Sequence, residues 1–356
     1  MNVEIGKTIV WNVDKSVDEN HPLIKEVAEQ LKEGKTIAFP TETVYGLGAN
    51  AYDTEAVKKI FQAKGRPSDN PLIVHIAEIK QVEELVEHID DQSKLLMEKF
   101  WPGPLTIIFK RKAAISPLVT AGLRSLAIRM PDHPVALALL KACQLPIAAP
   151  SANRSGRPSP TTAEHVYEDL NGRIAGIVDA GPTGIGVEST VIDVSGEVPT
   201  VLRPGGITIE ELEGVLGEVI LDPALVKQDE KPRSPGMKYT HYAPKGEMWI
   251  VKGTEQEVME QMMRIAHDKE KEGLKVGILT LDDHRNHFKH LSNSFILSYG
   301  TKGNLYPLAE HLYDALRSFD QQQVDYIVAE AVEEKGIGLT IMNRLNKAAG
   351  GNMIQL

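Results

Sequence analysis

The chain has 356 residues, 42% of them hydrophobic, with 39 Lys and Arg against 49 Asp and Glu, a formal net charge of -10. That length exceeds what one core usually organises and predicts about two domains, while the acidic balance excludes a general nucleic-acid-coating protein. The single cysteine, Cys143, excludes a disulfide framework and a cysteine zinc site, and no apolar run approaches the length of a membrane span.

The N-terminal residues carry neither the basic nor the apolar region of a signal peptide, so a cytoplasmic protein is expected. Residues 21–33 predict the first helix, with Leu23, Val27, Ala28 and Leu31 at helical spacing and Gly34 closing it. A short apolar strand follows at 36–40, then a turn-rich stretch at 41–50 and a second amphipathic helix at 53–63, capped by Asp53. Further strands are predicted at 72–76, 105–109, 126–129, 146–149, 176–179, 190–194 and 200–203. Several are joined by connections too short for a crossover helix, so an α/β fold with an open, twisted mixed sheet is expected. Residues 229–246 are charged, rich in Pro and Gly and without apolar periodicity, which marks a linker. Beyond it, strands at 248–251, 275–281, 295–298 and 326–329 alternate with helices at 255–272 and 305–319, predicting a smaller Rossmann-like domain. Its first strand runs into Val251-Lys252-Gly253-Thr254, without the GxGxxG turn that grips a dinucleotide, so none is expected there. The expected division is therefore 1–228, a linker or lid at 229–246, and 247–356. Cys143, in an apolar stretch, is expected to be a buried small hydrophobe.

Charge is segregated along the chain. Residues 101–160 hold eight basic residues and one acid, a local +7, which leaves -17 for the remainder. A positive field inside an acidic protein suits a polyanionic ligand held in a cleft, although Lys110, Arg111 and Lys112 alone are better read as a solvated strand end.

Four polar motifs sit at predicted strand or helix ends. PTETVYGLG (40–48) combines hydroxyls with glycines that permit close backbone approach. KGRPSDNPL (64–72) puts Lys64 and Arg66 around a glycine, where an ammonium and a planar guanidinium can share one phosphate chain; cations at a helix C-terminus are an equally sound reading. PSANRSGRPSPTT (150–162) feeds Ser151, Asn153 and arginines into a proline-stiffened loop. GVESTVID (186–193) and LRPG (202–205) add Ser189 and Arg203 at neighbouring strand ends. No GxxxxGK[ST] loop, HExxH motif or Cys/His ligand spacing is present, which demotes ordinary nucleotide hydrolysis and zinc chemistry.

In order, these motifs, with the strand LAIRMP (126–131) and SPGMKYTHYAP (234–244), resemble the YrdC-like threonylcarbamoyl-AMP synthase family over roughly residues 16–244; the C-terminal segment resembles the extra domain of its longer members. The resemblance implies formation of threonylcarbamoyl-AMP and pyrophosphate from L-threonine, bicarbonate or CO2, and ATP, with Mg2+ bridging the phosphates. Other proteins would then transfer the threonylcarbamoyl group to tRNA, with at most weak tRNA contact by this chain. It places the family's Lys-x-Arg and Ser-x-Asn signature on Lys64, Arg66, Ser151 and Asn153. L-threonine would lie around Thr43, His75, Arg129, Ala149 and Ser189, and ATP around Arg66, Asn70, Ser125, Ser151, Ser159, Arg203 and Tyr242. No metal-ligating carboxylate is singled out. The segment 234–244 is expected to act as a lid over the nucleotide. Two rivals remain at this point: a noncatalytic RNA-binding factor using the same basic concavity, and carbamoyl-adenylate chemistry of hydrogenase maturation, which the lack of zinc-finger cysteines disfavours.

Overall fold

In the computed structural model, which describes residues 7–112, 115–225 and 242–356, the chain divides into two units. The first comprises Met1–Ser155, Ser159–Gly184 and Glu188–Lys238; the second comprises Gly156–Pro158, Ile185–Val187 and Tyr239–Leu356. Most of the expected linker, residues 229–241, and with it most of the expected lid, lies outside the described residues.

Unit one runs β1 (Ile9–Asn12), α1 (Pro22–Lys32), β2 (Ile37–Phe39), β3 (Gly46–Asn50), α2 (Thr54–Lys64), β4 (Ile73–His75), α3 (Lys80–Leu85), α4 (Asp91–Phe100), β5 (Leu105–Lys110), α5 (Pro117–Thr120), β6 (Ser125–Arg129), α6 (Pro134–Cys143), β7 (Ile147–Ala148), α7 (Ala163–Leu170), β8 (Gly176–Asp179), β9 (Thr190–Asp193), β10 (Thr200–Arg203), α8 (Ile209–Leu216) and β11 (Ile220–Leu221). Its strands form one mixed sheet in the order β1-β8-β2-β3-β7-β4-β6-β5-β9-β10-β11.

Local chemistry explains the elements that matter. Helix α1 starts where Pro22 presets φ and the His21 ring accepts the Leu23 N–H; it buries Ile24, Val27, Ala28 and Leu31. The expected stripe contained Leu23, but spacing of three and four residues from Ile24 falls on one face, so Leu23 is only half-buried. Helix α2 is capped by the Asp53 carboxylate, which accepts from the N–H groups of Glu55 and Ala56, and ends at Gly65 with φ of 62°. Strand β3 occupies positions expected to be turn. Its glycines are a packing requirement: a Cβ on Gly48 would sit 2.7 Å from the Phe39 ring and 2.9 Å from Ile147.

Strand alternation sets the faces. Along β6, Leu126 and Ile128 enter the main core with Val74, Leu105, Ile107, Ile192 and Val201, while Ala127 joins Ile73, Val191 and Leu202 in a separate small apolar patch. Ser125 and Arg129 therefore share a face with that patch. Helices α1 and α6 pack elsewhere, over Trp11, Ile37, Phe39 and Val178. Cys143 lies in that layer, its thiol pushed up to about 12 by burial, the inert small hydrophobe expected of it.

Unit two contains β12 (Glu247–Lys252), α9 (Glu255–Lys271), β13 (Val276–Thr280), β14 (Ser294–Ser298), α10 (Tyr306–Gln321), β15 (Tyr326–Glu330), α11 (Ile337–Ala348) and β16 (Met353–Gln355). The sheet order is β14-β13-β15-β12-β16, with every pairing parallel, as single-helix crossovers require. At the carboxyl end of β15, Glu330 accepts from the Thr280 hydroxyl at 2.5 Å and the Leu281 N–H at 3.1 Å, and meets His284 Nδ1 at 2.8 Å. The other ring nitrogen of His284 meets Glu255 at 2.8 Å.

Candidate active site

The parallel pairing of β4 with β6 places His75 opposite Arg129 at the carboxyl ends of both strands. Arg129 is buried; its Nη1 donates to Thr43 Oγ1 at 2.9 Å and its Nε to the Gly103 carbonyl at 3.2 Å. Its Nη2 is in ion-pair contact with Glu42. Thr43 is fixed in turn by the Thr41 hydroxyl at 2.8 Å, and Thr41 donates to the Val44 carbonyl at 2.6 Å. His75 is buried edge-on against Phe39, its Nδ1 3.3 Å from the Ile73 carbonyl. Burial, with the Arg129 charge, pulls its imidazole down to about 3, so it is neutral near pH 7. Ala149, whose N–H bonds the Ile73 carbonyl at 2.9 Å, packs beside Gly46.

Lys64, the last residue of α2, is buried with its ammonium turned inward. It donates to the carbonyls of Ser151 and Asn153, the latter at 2.6 Å, and to Asn153 Oδ1 at 3.3 Å. Ser151 also donates to that Oδ1 at 2.6 Å. The Lys-x-Arg and Ser-x-Asn segments are thus one unit, in which the ammonium's donors gather the 151–153 loop. Arg66 Nη2 reaches the Asn70 carbonyl at 3.2 Å and curls its own loop. Asn70 is buried, yet neither its Oδ1 nor its Nδ2 has a hydrogen-bond partner among the described residues.

A third group forms where β9 begins and β10 ends. Ser189 shares a 2.8 Å hydrogen bond with Thr106, while Arg203 donates to the Ser189 carbonyl at 2.8 Å and hydroxyl at 3.1 Å. Gly205 admits this close approach, since a Cβ there would stand 2.2 Å from the Thr190 nitrogen. Ser159 donates to Glu188 at 2.7 Å. Ser125 stands at the far end of β6 from Arg129, about 13 Å along the same face. Tyr242 belongs to the second unit, where its ring lies 5.0 Å from that of Tyr313 and under the Arg344 guanidinium at 5.7 Å. Lys110 pairs with Glu87, and Arg111 and Lys112 bind nearby carbonyls; all three are solvent-side, as expected.

Sequence reasoning left three residues of this region unassigned. Glu42 has both carboxylate oxygens buried without an aligned hydrogen bond, His133 both ring nitrogens, and Thr183 its hydroxyl, among the described residues. Burial and the Lys15 charge bring His133 down to about 4. Orphaned buried polar atoms are rare in folded proteins, and each calls for a partner such as water, an ion or a ligand. The available signal was a carboxylate enclosed by hydroxyls and apolar residues within PTETVYGLG, with no basic neighbour in sequence. No group of three His, Cys, Asp or Glu side chains among the described residues is placed to hold a metal ion.

A family model described as "Telomere recombination" matches residues 29–205, and one described as "Threonylcarbamoyl-AMP synthase, C-terminal domain" matches 207–350. A Bacillus subtilis (strain 168) protein named threonylcarbamoyl-AMP synthase is 54% identical over 352 residues, covering 98% of this chain and 100% of that protein. A Schizosaccharomyces pombe protein of the same name is 41% identical over 346 residues, covering 88% of this chain and 84% of its own length. The crystal structure of P. abyssi Sua5 complexed with L-threonine superposes with a TM-score of 0.92 at 46% identity, covering 98% of this chain and 100% of that one.

Proposed function

The chain belongs to the threonylcarbamoyl-AMP synthase family, and from that premise we propose how its site works. The protein is an enzyme of the nucleotidyltransferase kind that makes threonylcarbamoyl-AMP for tRNA modification, from L-threonine and ATP. The RNA-binding reading has no comparable support.

The observation that carries the finer chemistry is the burial of Arg129, Thr43, His75 and the Glu42 carboxylate oxygens in one corner, near buried polar atoms without a hydrogen-bond partner among the described residues. Arg129 takes the threonine carboxylate, Ser189 and Thr43 contribute hydroxyls, and Ala149 leaves room for the small side chain. CO2 or bicarbonate supplies the carbon. The amine, once deprotonated to its neutral form, adds to CO2 and loses one N–H proton to solvent to give a carbamate, whose oxygen bonds to the α-phosphorus of ATP as the bond to the bridging oxygen breaks and pyrophosphate leaves. Such a step needs in-line placement and charge neutralisation more than a protein nucleophile. Arg66 and Arg203 supply that charge at the phosphates, with Asn70, Ser125, Ser151 and Ser159 as further nucleotide contacts. Lys64 and Asn153 hold the 151–153 loop in register for them. Mg2+ would come with ATP and would neutralise phosphate charge beside Arg66 and Arg203. No helix among those residues is long and apolar enough to cross a membrane, and we place the reaction in the cytoplasm, where ATP and tRNA meet. Separate downstream proteins carry the threonylcarbamoyl group to tRNA, with only weak tRNA contact by this one.

Mass spectrometry of a mixture with ATP, L-threonine and bicarbonate tests this reading. A threonylcarbamoyl-AMP peak that requires all three reagents is expected; pyrophosphate released equally well without threonine would overturn it.

A further inference from the structure

An amino acid approaching Arg129 is a zwitterion: its carboxylate matches the guanidinium, but its ammonium, one carbon away, needs a counter-charge of its own. The carboxylate in contact with Arg129 is Glu42, whose side chain is 12% exposed. Neither oxygen of Glu42, nor Nη2 of Arg129, has an aligned hydrogen bond among the described residues. The other edges of the guanidinium are engaged by the Gly103 carbonyl and the Thr43 hydroxyl. Glu42 is thus held against a cation while lacking the N–H or O–H donors that offset burial of a carboxylate.

Apart from Arg129, the described residues around Glu42 do not provide those donors. The His133 ring is neutral and neither of its nitrogens is hydrogen-bonded among the described residues. Asp132 is itself a carboxyl pushed up by burial and by the Glu42 charge, and the Lys15 charge acts on His133. The backbone holds Glu42 in place through the Gly184 N–H, 3.2 Å from its carbonyl, and the adjoining Thr183 hydroxyl is another buried orphan. What the carboxylate lacks is a compact cation with several donors. An ammonium carries three.

We propose that Glu42 is the ammonium-binding, specificity-determining residue of the site: with Arg129 it forms a contiguous charge pair that reads both ends of a zwitterionic α-amino acid. It selects amino acids over hydroxy acids of the same shape. This rests on L-threonine being the substrate.

The test is calorimetric titration of the full chain with L-threonine and with its 2-hydroxy isostere, which keeps the carboxylate and side chain but replaces the ammonium by a hydroxyl. Wild type should bind threonine at least about tenfold more tightly, or about 1.4 kcal/mol. Glu42→Gln should weaken threonine by about tenfold or more and change the isostere by less than about threefold. If Glu42 only orients Arg129, the substitution weakens both ligands alike, and the proposal falls. Should Glu42→Gln not fold, wild type decides alone: equal affinity for the two ligands overturns the proposal. Failure of wild type to bind threonine at all would overturn the substrate reading, and this one with it.

Discussion

Each unit ends a buried strand on a charged side chain, Arg129 on β6 and Glu330 on β15, and the two ends are finished differently. Around Glu330 the account closes: hydroxyl, backbone N–H and imidazole meet the carboxylate, and a second carboxylate meets the far side of the imidazole. Around Arg129 it stays open: Glu42 touches the guanidinium without an aligned hydrogen bond, and His133 and Thr183 hold buried atoms that bond nothing among the described residues. The lesson concerns what buried polarity is for. A closed network stabilises its own fold, whereas an open one costs stability that a ligand can return.

The largest expected effect comes from opening the closed network. Glu330→Ala leaves Thr280, Leu281 N–H and His284 without their acceptor and should cost about 3–5 kcal/mol of unit-two stability, read by hydrogen exchange in peptides spanning 276–284 and 326–332. Catalysis should change far less than stability. The converse substitution is Lys64→Ala, which takes the ammonium away from three oxygens of the 151–153 loop. It should lower threonylcarbamoyl-AMP formation about 100-fold, or about 2.7 kcal/mol, in a steady-state assay. A loss of activity in Glu330→Ala matching that in Lys64→Ala would erase the contrast between the two units.

The contrast was only half legible in the sequence. The strands ending in Arg129 and Arg203 announced themselves as apolar runs closed by a polar residue, and Asp53 announced the start of α2. Strand β3 did not, because Gly46 and Gly48 look like turn residues until the Phe39 ring that demands them is in place. The contacts of Lys64 were hidden for a similar reason: a lysine at a helix end beside an arginine suggests a phosphate clamp, and only tertiary structure brings the Ser151 and Asn153 carbonyls onto its ammonium. Glu42, inside a motif dominated by threonines and glycines, gave no sign that it would end up against Arg129, 87 residues away in sequence. Motif order carried the family; partner identity depends on contacts between distant segments.

Proton linkage separates the units next. His75 and His133 are depressed to about 3 and about 4, from an ordinary value of 6.5. The unfolded chain therefore binds more protons than the fold once pH drops below 6.5, and unit one should lose about 2–3 kcal/mol by pH 5.5. His284 has the opposite sign. Its burial is outweighed by the carboxylates of Glu330 and Glu255, which hold the imidazolium, so that its contribution is complete below 6.5 and lost as pH rises through its raised value. Hydrogen exchange from pH 5.5 to 8 should show unit one weakening on the acid side and unit two on the alkaline side. Parallel behaviour would mean that the two histidine environments do not differ as described.

Asn70 offers the smallest and sharpest comparison. It is buried like Glu330, but its side-chain oxygen and nitrogen bond nothing among the described residues, and the loop contact to Arg66 uses its backbone carbonyl. Asn70→Ala therefore removes no hydrogen bond from the ligand-free protein. It also removes two desolvated polar atoms, each of which carries a penalty of about 1–3 kcal/mol, and that gain offsets the small void left behind. The melting temperature should stay within about 2 °C of wild type. Affinity for ATP should nevertheless fall about tenfold, or about 1.4 kcal/mol, if the proposed site is right and the nucleotide is the partner of those atoms. Nucleotide titration and thermal melting on one preparation decide the matter. A melting temperature lowered as far as that of Glu330→Ala, with ATP affinity unchanged, would make Asn70 a scaffold residue and remove it from the site.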